Sequence, residues 1–509
     1  MKNSVLCYLE DTVNNYPNKI ALTDQTGDTS FHEWQHKGLC IADAIRSKIK
    51  NQHNPILVYL PKSSMTLISF VGVLYSGNYY TPTDVRFPFE KANSIIKCLH
   101  PKAIITDHKH SEKLINNGIP NELMIYVDDI DFTSQTTDSD YYLNSIIDTD
   151  LAYVFFTSGS TGIPKGVSIA QRSIIDYIDW ASEEFDIDSE TIIGNQAPFY
   201  FDNSILDIYL CMKCGSHLHI IPEFYYSFTA KLLDYIIKNN INFLFWVPSA
   251  LIGIANSRLL ERLDCSCIKK VLFCGEVMPN RHLNYWRKYV KADIYANLYG
   301  PTEITDVCAF YVVNREFSDD EPLPIGKACK NTQILLLDDN DNVIIDNDIM
   351  GELCVRGTCN SVGYYDNEDK TMCSFVQNPL HNHYPEAIYR TGDLAHYNSF
   401  GEIMFDGRKD FQIKHKGYRI ELGEIETALL SIGNVDNACC VYDNEKSTIV
   451  AFCKVSHNIN EIEIRKTLTN ILPKYMMPAR YILLADLPYN NNGKIDRKLL
   501  KKEYIEEGQ

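Results

Sequence analysis

The chain is 509 residues long, and at roughly 100–200 residues per domain this length predicts three or four domain-sized units. Its 45% hydrophobic and 22% charged residues are typical of globular proteins and exclude an intrinsically disordered chain. The formal net charge of −18 argues against a nucleic-acid partner, because proteins that bind the phosphate backbone usually concentrate Lys and Arg in a basic face.

The distribution of apolar residues predicts a cytoplasmic protein without a membrane span. The first residues, MKNSVLCYLEDTVNNYP, lack an unbroken apolar core of signal-peptide length, and no later segment approaches the ~18 apolar residues that a spanning helix needs. Sixteen cysteines are present, and we expect most of them to be reduced, buried and packed as small apolar side chains. Cys211 and Cys214 form a CxxC, but no second CxxC or HxxxH lies at a spacing that would complete a zinc site.

The order of sequence elements predicts an α/β fold followed by a β-rich region. Up to about residue 320, short β-branched and aromatic runs alternate with longer amphipathic stretches, as expected for buried strands between helices. These runs include ILVYL at 56–60, AIITD at 103–107, FLFWVP at 243–248 and KKVLFCGE at 269–276. Beyond them, closely spaced strands separated by Asn/Asp-rich turns predict a smaller β-rich subdomain, as in QILLLD at 333–338 and GELCVRG at 351–357.

A second change of pattern follows Gly407, where GRKD precedes a new alternation of strand and helix signals. We place a domain boundary within 407–411 and predict a large N-terminal domain over residues 1–408. Residues 409–509 are then predicted to form a compact α+β domain.

A glycine-rich loop with many hydroxyl groups carries the first chemical signal. The segment FFTSGSTGIPKG at 155–166 joins an apolar strand end to three glycines, four hydroxyl side chains and Lys165. Such a loop can wrap a polyphosphate with backbone N–H groups and hydroxyls, and glycine is needed where the backbone approaches closely. It is not a Walker loop, because the GxxxxGK[ST] spacing is absent. The alternative interpretation is a Gly/Ser surface turn.

This loop resembles the phosphate loop of the adenylate-forming superfamily. The resemblance is to the branch that activates amino acids, which contains adenylation domains of nonribosomal peptide synthetases and D-alanine:carrier-protein ligases. Further family motifs follow in order: FDNS at 201–204, NLYGPTE at 297–303, YRTGDL at 389–394, GRKDFQIKHKGYRIELGEIE at 407–426, LPKYMMP at 472–478 and NGKIDR at 492–497. The motifs span residues 155–497, which excludes a chance match.

The resemblance implies a fold and a nucleotide site. The large domain would comprise two α/β subdomains and a β-rich subdomain, and the small α+β domain would be a mobile lid that turns about Asp410 between two reactions. ATP would be bound by Thr157, Ser158, Gly159, Ser160, Thr161, Gly162, Lys165, Asn297, Tyr299, Gly300, Asp393, Phe405 and Arg408.

Several of these residues also suit their roles chemically. Tyr299 offers a flat face for a purine, Thr302 a hydroxyl for the α-phosphate and Glu303 a hard oxygen ligand for Mg²⁺. Asp393 is an acceptor suited to both ribose hydroxyls, and the family position of Arg408 contacts ribose and phosphate. Alternatively, NLYGPTE is a turn beside a buried strand, and the carboxylate of TGD caps a helix.

The implied reaction has two steps. A substrate carboxylate attacks the α-phosphorus of ATP, and Lys494, Glu303, Thr302 and Arg408 are the predicted catalytic residues, with Lys494 as the family's adenylation lysine. Their charges and donors separate two anions that otherwise repel each other. A phosphopantetheine thiol then attacks the acyl carbon and AMP departs.

The predicted substrate is an α-amino acid. In the amino-acid branch the position of Asp202 pairs with the substrate ammonium, although a helix N-cap is the alternative interpretation. Residue matching places a pocket at Asp202, Asn203, Leu206, Phe245, Leu272, Cys274, Leu298, Asp306 and Val307. FCGEVMP at 273–279 resembles D-alanine ligases and favours D-alanine, whereas Asp306 in an apolar pocket favours a larger side chain with a polar or cationic tip unless it points outward.

The predicted partner is a phosphopantetheinylated carrier protein supplied in trans, because the sequence ends soon after NGKIDR. We expect the chain to be a monomer. Two alternatives remain open at this stage: an acid:CoA ligase of the same fold, and a nucleotide-binding protein without turnover. Asp202 argues against the first, and Glu303, Asp393 and Lys494 argue against the second.

Overall fold

A computed structural model describes residues 2–159, 163–410, 412–444, 446–455, 459–489 and 495–506. It divides into two compact units. The first comprises Met1–Val85, His100–Phe155 and Gly166–Lys409, and the second comprises Arg86–Leu99, Phe156–Lys165 and Asp410–Gln509. The predicted domains, residues 1–408 and 409–509, are each one continuous segment. The two compact units are not, because residues 86–99 and 156–165 belong to the second unit. The predicted division into domains therefore stays a prediction.

The described residues form fifteen α-helices: α1 (Leu6–Asn15), α2 (Phe31–Lys48), α3 (Ser64–Tyr75), α4 (Phe89–Leu99), α5 (His108–Ile115), α6 (Ser139–Leu143), α7 (Gln171–Glu184), α8 (Asn203–Cys214), α9 (Thr229–Lys238), α10 (Pro248–Ser257), α11 (Asn280–Tyr289), α12 (Glu368–Ser374), α13 (Leu422–Leu430), α14 (Glu461–Leu468) and α15 (Arg497–Lys501).

The strands up to the β-rich region are β1 (Ile20–Asp24), β2 (Gly27–Ser30), β3 (Pro55–Val58), β4 (Tyr79–Pro82), β5 (Ala103–Thr106), β6 (Met124–Tyr126), β7 (Leu151–Thr157), β8 (Lys165–Ala170), β9 (Ile192–Asn195), β10 (His217–Ile220), β11 (Phe243–Trp246), β12 (Lys270–Cys274), β13 (Ile294–Tyr299) and β14 (Ala309–Val312). They are followed by β15 (Lys327–Ala328), β16 (Thr332–Leu337), β17 (Gly351–Gly357), β18 (Gly363–Tyr364), β19 (Phe375–Gln377), β20 (Ala387–Tyr397), β21 (Ile403–Arg408), β22 (Gln412–His415), β23 (Tyr418–Glu421), β24 (Val435–Asp443), β25 (Thr448–Val455) and β26 (Arg480–Leu484).

The largest sheet of the first unit has nine strands in the order β15-β14-β13-β12-β11-β9-β10-β1-β2. Its central strands are parallel and buried on both faces, which explains why their sequences are continuous apolar runs. One face packs in the cluster that contains Phe245 and Leu272, and the other packs in the cluster that contains Trp246 and Phe273. Because successive side chains point to opposite faces of the sheet, the sheet separates two apolar cores.

Two further sheets lie mainly in the first unit. A seven-stranded sheet has the order β18-β8-β7-β4-β3-β5-β6, and a five-stranded sheet has the order β16-β17-β20-β19 with β21 paired to β20. The second of these is antiparallel throughout, as expected for closely spaced strands joined by short turns. The predicted α/β fold with a β-rich subdomain is confirmed.

The second unit has its own core. A two-stranded sheet of β22 and β23 and a three-stranded sheet of β24, β25 and β26 are accompanied by α13 and α14. The apolar sides of these elements meet around Ile425, Leu429 and Leu468, which are fully buried. This mixture of helices and strands is the α+β arrangement predicted for the C-terminal region.

All sixteen cysteines, each of them among the described residues, are reduced thiols, and eleven of them are buried. Among the described residues no group of three or more His, Cys, Asp or Glu side chains is arranged to hold a metal ion. The described helices also include none that is both long and apolar enough to cross a membrane.

Candidate active site

The apolar residues of the predicted pocket lie in one place. Phe245 on β11 pairs in register with Leu272 on β12, and Cys274 at the end of β12 pairs with Leu298 on β13. Residues two apart along a strand share a face, so these four side chains project to the same side of the nine-stranded sheet. All six apolar pocket residues belong to one buried cluster: Leu206, Phe245, Leu272, Cys274, Leu298 and Val307.

Helix α8 begins next to Asp202, the predicted partner of the substrate ammonium group. Asp202 is the N-cap residue, and its Oδ1 accepts a hydrogen bond from the Asn203 backbone N–H at 3.1 Å. A carboxylate suits this position because it meets the positive end of the helix dipole. The capping contact and a role in binding an ammonium group are compatible, since a carboxylate accepts several hydrogen bonds. The ammonium role of Asp202 stays a prediction.

Asp306 points into the protein rather than outward. The residue is 1% exposed, and the Tyr177 hydroxyl on α7 donates to its Oδ2 at 2.7 Å. Thr305 and Asp306 both adopt positive φ, at 59° and 77°, which is uncommon for residues other than glycine. The backbone of Asp306 also comes close to Gly300, where an added Cβ would lie 2.3 Å from the Asp306 carbonyl oxygen.

A second cluster joins two strands of the β-rich sheet to Tyr299. Asp393 on β20 and Arg408 on β21 are paired in register and form an ion pair, and the Tyr299 hydroxyl also donates to Asp393. Burial raises the pKa of Tyr299 far above its usual value, so the phenol keeps its proton as donor. The Phe405 ring centroid lies 6.2 Å from that of Tyr299. Four predicted nucleotide residues therefore meet here.

Glu303, the last residue of the NLYGPTE motif, is fully buried. The Tyr364 hydroxyl donates to its Oε1 at 2.7 Å, and Thr302 next to it is also buried. Asn297 donates through Nδ2 to the Pro324 carbonyl oxygen at 2.8 Å, which fixes the end of β13. A single carboxylate is the donor set that Mg²⁺ uses when nucleotide phosphates complete its shell, so Glu303 fits such a metal chemically.

The predicted phosphate loop has described residues on both sides of residues 160–162. Ser158 Oγ donates to the Arg419 carbonyl oxygen at 2.9 Å and accepts from the Glu421 N–H at 3.2 Å, all within the second unit. Lys165 Nζ lies 3.7 Å from the Glu421 carboxylate, and Thr157 Oγ1 lies 3.5 Å from the Lys165 carbonyl oxygen. At Gly159 a Cβ would lie 1.9 Å from the Ile163 carbonyl oxygen, so a side chain has no room there.

Four predicted site residues lie outside the described residues: Ser160, Thr161, Gly162 and Lys494. Asp410, the predicted hinge, accepts at Oδ1 from the Gln412 N–H at 3.2 Å, and its hinge role stays a prediction.

Three tyrosines in these clusters were not singled out by the sequence analysis. Tyr177 contacts Asp306 and Tyr364 contacts Glu303, while burial and then the charges of Asp202 and Asp306 raise the pKa of Tyr153. Each is far in sequence from the group it serves, and an aromatic residue at helix or strand spacing is usually a core residue. The only available signal was the rule that a buried carboxylate requires a donor.

This combination of fold and clustered residues is the one expected of an adenylate-forming enzyme. The chain belongs to the family of AMP-binding enzymes: the sequence model of that family matches residues 9–365. The model described as the C-terminal domain of AMP-binding enzymes matches residues 424–494.

Curated relatives extend over nearly the whole chain. Zwittermicin A synthase ZmaJ of Bacillus cereus is 30% identical over 98% of this chain and 95% of its own length. The D-alanine--D-alanyl carrier protein ligase of Staphylococcus haemolyticus is 29% identical over 98% of this chain and 99% of its own. Tyrocidine synthase 1 of Brevibacillus parabrevis is 28% identical over 96% of this chain, which spans 44% of that protein.

Solved structures show the same fold. The Vibrio cholerae adenylation domain AlmE, in complex with glycyl-adenosine-5'-phosphate, matches with a TM-score of 0.87 over 99% of this chain and 98% of that chain. The two sequences are 19% identical, so this likeness concerns the fold alone.

Proposed function

We propose that this protein uses ATP to activate an amino acid as its aminoacyl adenylate and then transfers the aminoacyl group to the thiol of a carrier protein. The observation that carries the proposal is the pocket on the nine-stranded sheet. Asp202 is the N-cap of α8, and Leu206 on the same helix belongs to the buried apolar cluster that includes Leu272 and Leu298. An α-amino acid has the matching chemistry, because its ammonium group pairs with the carboxylate and its side chain meets the apolar wall.

In the first step the substrate carboxylate attacks the α-phosphorus of ATP and pyrophosphate leaves. Thr302 and Lys494 are proposed to bind the developing charge, and Glu303 to hold Mg²⁺, which neutralises charge on the phosphate oxygens when bound. Asp393, with Arg408 beside it, is proposed to hold the ribose. Holding the two reactants in line contributes roughly 7–11 kcal/mol to lowering the barrier.

In the second step a phosphopantetheine thiol attacks the acyl carbon. A carbon–sulfur bond forms, the bond between the acyl carbon and the phosphate oxygen breaks, and AMP leaves with the electron pair. The proposal includes a carrier protein in trans, a monomeric enzyme located in the cytoplasm, and a lid over residues 409–509 that turns about Asp410. The names of the D-alanyl and L-prolyl carrier-protein ligases among the relatives support the carrier acceptor.

Amino-acid-dependent exchange of pyrophosphate into ATP tests the first step. The panel comprises the standard L-amino acids together with D-alanine, glycine and β-alanine, and Lys494→Ala is the control for adenylation chemistry. We expect exchange with one or a few amino acids in the wild type and loss of exchange in the variant. A folded wild-type protein that binds ATP but exchanges with no member of the panel contradicts the proposal.

The second step is tested by supplying the adenylating enzyme with two acceptors. A phosphopantetheinylated carrier protein and free coenzyme A are compared at equal concentration, and thioester formation is followed by mass spectrometry. Faster transfer to the carrier is the expected result. Transfer to coenzyme A alone would assign the protein to the acid:CoA ligases.

A further inference from the structure

The backbone before Asp393 interrupts the pairing of β17 with β20. Between two paired positions, β17 has one residue, Leu353, and β20 has three, residues 391–393. Such a bulge redirects side chains and often occurs next to active sites. Gly392, at the centre of the bulge, has a φ of 73°, a conformation that residues with a side chain seldom adopt. The direction of the Asp393 side chain therefore depends on how this bulge is held.

Gly392 is held through both of its backbone polar groups. Its N–H donates to Glu352 Oε1 at 3.3 Å, and its carbonyl oxygen accepts from the Lys409 N–H at 2.8 Å. The two holding residues also meet each other, because Lys409 Nζ lies 3.4 Å from Glu352 Oε2. Gly392, Glu352 and Lys409, all in the first unit, thus form a closed ring of contacts, which we call the Gly392 clamp.

The carboxylate of Glu352 is the centre of this clamp. Its side chain is 9% exposed, and Oε2 also accepts from Arg390 Nη1 at 2.9 Å. Two cations and one backbone N–H therefore stabilise a carboxylate that has little access to water, and loss of its charge weakens all three contacts. Arg390 lies on β20 and Lys409 follows β21, so Glu352 joins the two strands that pair at Asp393.

Lys409 connects the clamp to the ion pair of Asp393. It directly follows Arg408, whose guanidinium pairs with the Asp393 carboxylate. A second acidic neighbour of Lys409, Asp339, lies 3.7 Å away, but its side chain is 98% exposed and water screens that pair strongly. The buried Glu352 carboxylate is therefore the stronger partner of Lys409.

We propose that Glu352 is a positioning residue for nucleotide binding, which acts through Lys409 and Gly392 to direct the Asp393 carboxylate at the ribose hydroxyls. This inference rests on the proposed function, in which Asp393 holds the ribose. A carboxylate recognises a hydroxyl only within a narrow range of distance and angle, because hydrogen bonds weaken steeply outside it. The clamp holds the bulge, and the bulge sets the place of the carboxylate.

The test measures how strongly the protein distinguishes ATP from 2′-deoxy-ATP and 3′-deoxy-ATP. Calorimetry without an amino acid gives Kd for each nucleotide and needs no turnover. In the wild type we expect Kd to rise by about 10-fold or more when a hydroxyl is missing, because a hydrogen bond to a charged acceptor is lost. In Glu352→Gln we expect this ratio to fall by about 5-fold or more, because a small displacement of a binding group is costly.

Matched variants separate positioning from a structural role. Lys409→Met should lower the ratio as Glu352→Gln does, whereas Lys409→Arg keeps the cation and should retain it. The control is Glu386→Gln, which weakens an ion pair with Arg356 on β17 and should leave the ratio unchanged. A merely structural role would lower the melting temperature of Glu352→Gln without changing its ratio, since all three nucleotides bind the same folded protein. That result overturns the proposal.

The double variant Glu352→Gln/Lys409→Met tests whether the two residues act together. If they do, the ratio falls no further than in either single variant, because the shared contact is already lost. Losses that multiply in the double variant overturn the action through Lys409.

The binding measurements also keep this inference distinct from the proposed function. A protein that exchanges no pyrophosphate but loses ribose discrimination in Glu352→Gln supports the positioning role although adenylation fails. A wild type that exchanges pyrophosphate but binds the three nucleotides equally overturns the positioning role and leaves adenylation in place.

Discussion

At the scale of single residues, the molecule uses hydrogen bonds from tyrosine to keep acidic groups in its interior. Tyr177, Tyr299 and Tyr364 each donate to a buried carboxylate of a predicted site residue. A phenol suits this role because its ring packs in an apolar core while its hydroxyl satisfies the acid. The predicted site residues are thereby held in place before any ligand arrives, which is the condition for electrostatic catalysis without reorganisation.

Gly159 is expected to be indispensable in the phosphate loop. Gly159→Ala would bring a methyl group to within 1.9 Å of the Ile163 carbonyl oxygen, so the backbone must move away from the position in which it is predicted to bind phosphate. We expect KM for ATP to rise by about 10-fold or more, since misplaced binding groups raise both KM and the barrier. The control is Gly253→Ala in α10, where a Cβ meets no atom within 4 Å. Equal exchange kinetics in the two variants would contradict the expectation.

Asp207 is expected to make stability depend on pH. Burial raises its pKa to about 8, against about 4 in an unfolded chain. Between these values the folded chain retains a proton that the unfolded chain has lost, so the free energy of unfolding falls as the pH rises, by up to ~1.4 kcal/mol per pH unit. This stability is complete below the unfolded pKa and lost as the pH passes the folded one.

The variant Asp207→Asn isolates that contribution, because an amide oxygen can still accept from Asn195, which donates to Asp207 at 2.9 Å. Denaturant titrations of both proteins across this pH range give the comparison. The variant should gain stability relative to the wild type as the pH rises, and parallel profiles would show that Asp207 does not titrate in this range.

At the scale of elements, helix α2 shows how local sequence sets a boundary. Ser30 caps the helix by accepting from the Glu33 N–H, and Glu33 accepts in return from the Ser30 N–H. The helix then buries Phe31, Trp34 and Ile45 in the main core. The two side chains of this capping box accept hydrogen bonds from backbone N–H groups that have no partner within the helix. Loss of the capping box therefore destabilises the helix.

Replacement of the cap gives a measurable cost. Ser30→Ala is expected to lower the free energy of unfolding by ~1 kcal/mol, the usual value for a lost N-cap. Ser47→Ala on the same helix is the control, because Ser47 is exposed and only donates to the Asp43 carbonyl oxygen. Denaturant midpoints of the two variants should differ, with equal slopes. Identical midpoints would show that the capping box contributes nothing.

Elements of this kind could be predicted because their signals are local. The apolar run at 56–60 became β3 and the run at 243–248 became β11, since buried parallel strands need continuous apolar sequence. The contacts that shape the site could not be predicted in this way. Tyr177 is 129 residues from Asp306, and no periodicity connects two residues that meet only after the sheet forms. The motif resemblance supplied Asp306 but not its orientation.

At the scale of the whole molecule, the two compact units have separate apolar clusters. Leu218 is fully buried in the first unit, and Leu429 is fully buried in the second. A chain of this size is expected to unfold by domain rather than in one step. The two cores therefore predict two thermal transitions.

Core variants can assign those transitions. Leu218→Ala and Leu429→Ala should each cost ~2–5 kcal/mol in their own core. In scanning calorimetry we expect each variant to lower one transition and leave the other in place. A single transition that both variants lower equally would contradict independent cores.

The cysteines differ in burial, so the rate at which each thiol reacts reports how often the structure around it opens. Cys373 on α12 is the only exposed thiol of the sixteen, whereas Cys439 and Cys453 are buried and their pKa is raised by burial to about 12. Thiols react as thiolates, so a disulfide reagent should modify the exposed Cys373 first and reach the buried thiols only when the surrounding structure opens. Counting labelled sites against time by mass spectrometry would then time the opening of each region, without any engineered probe.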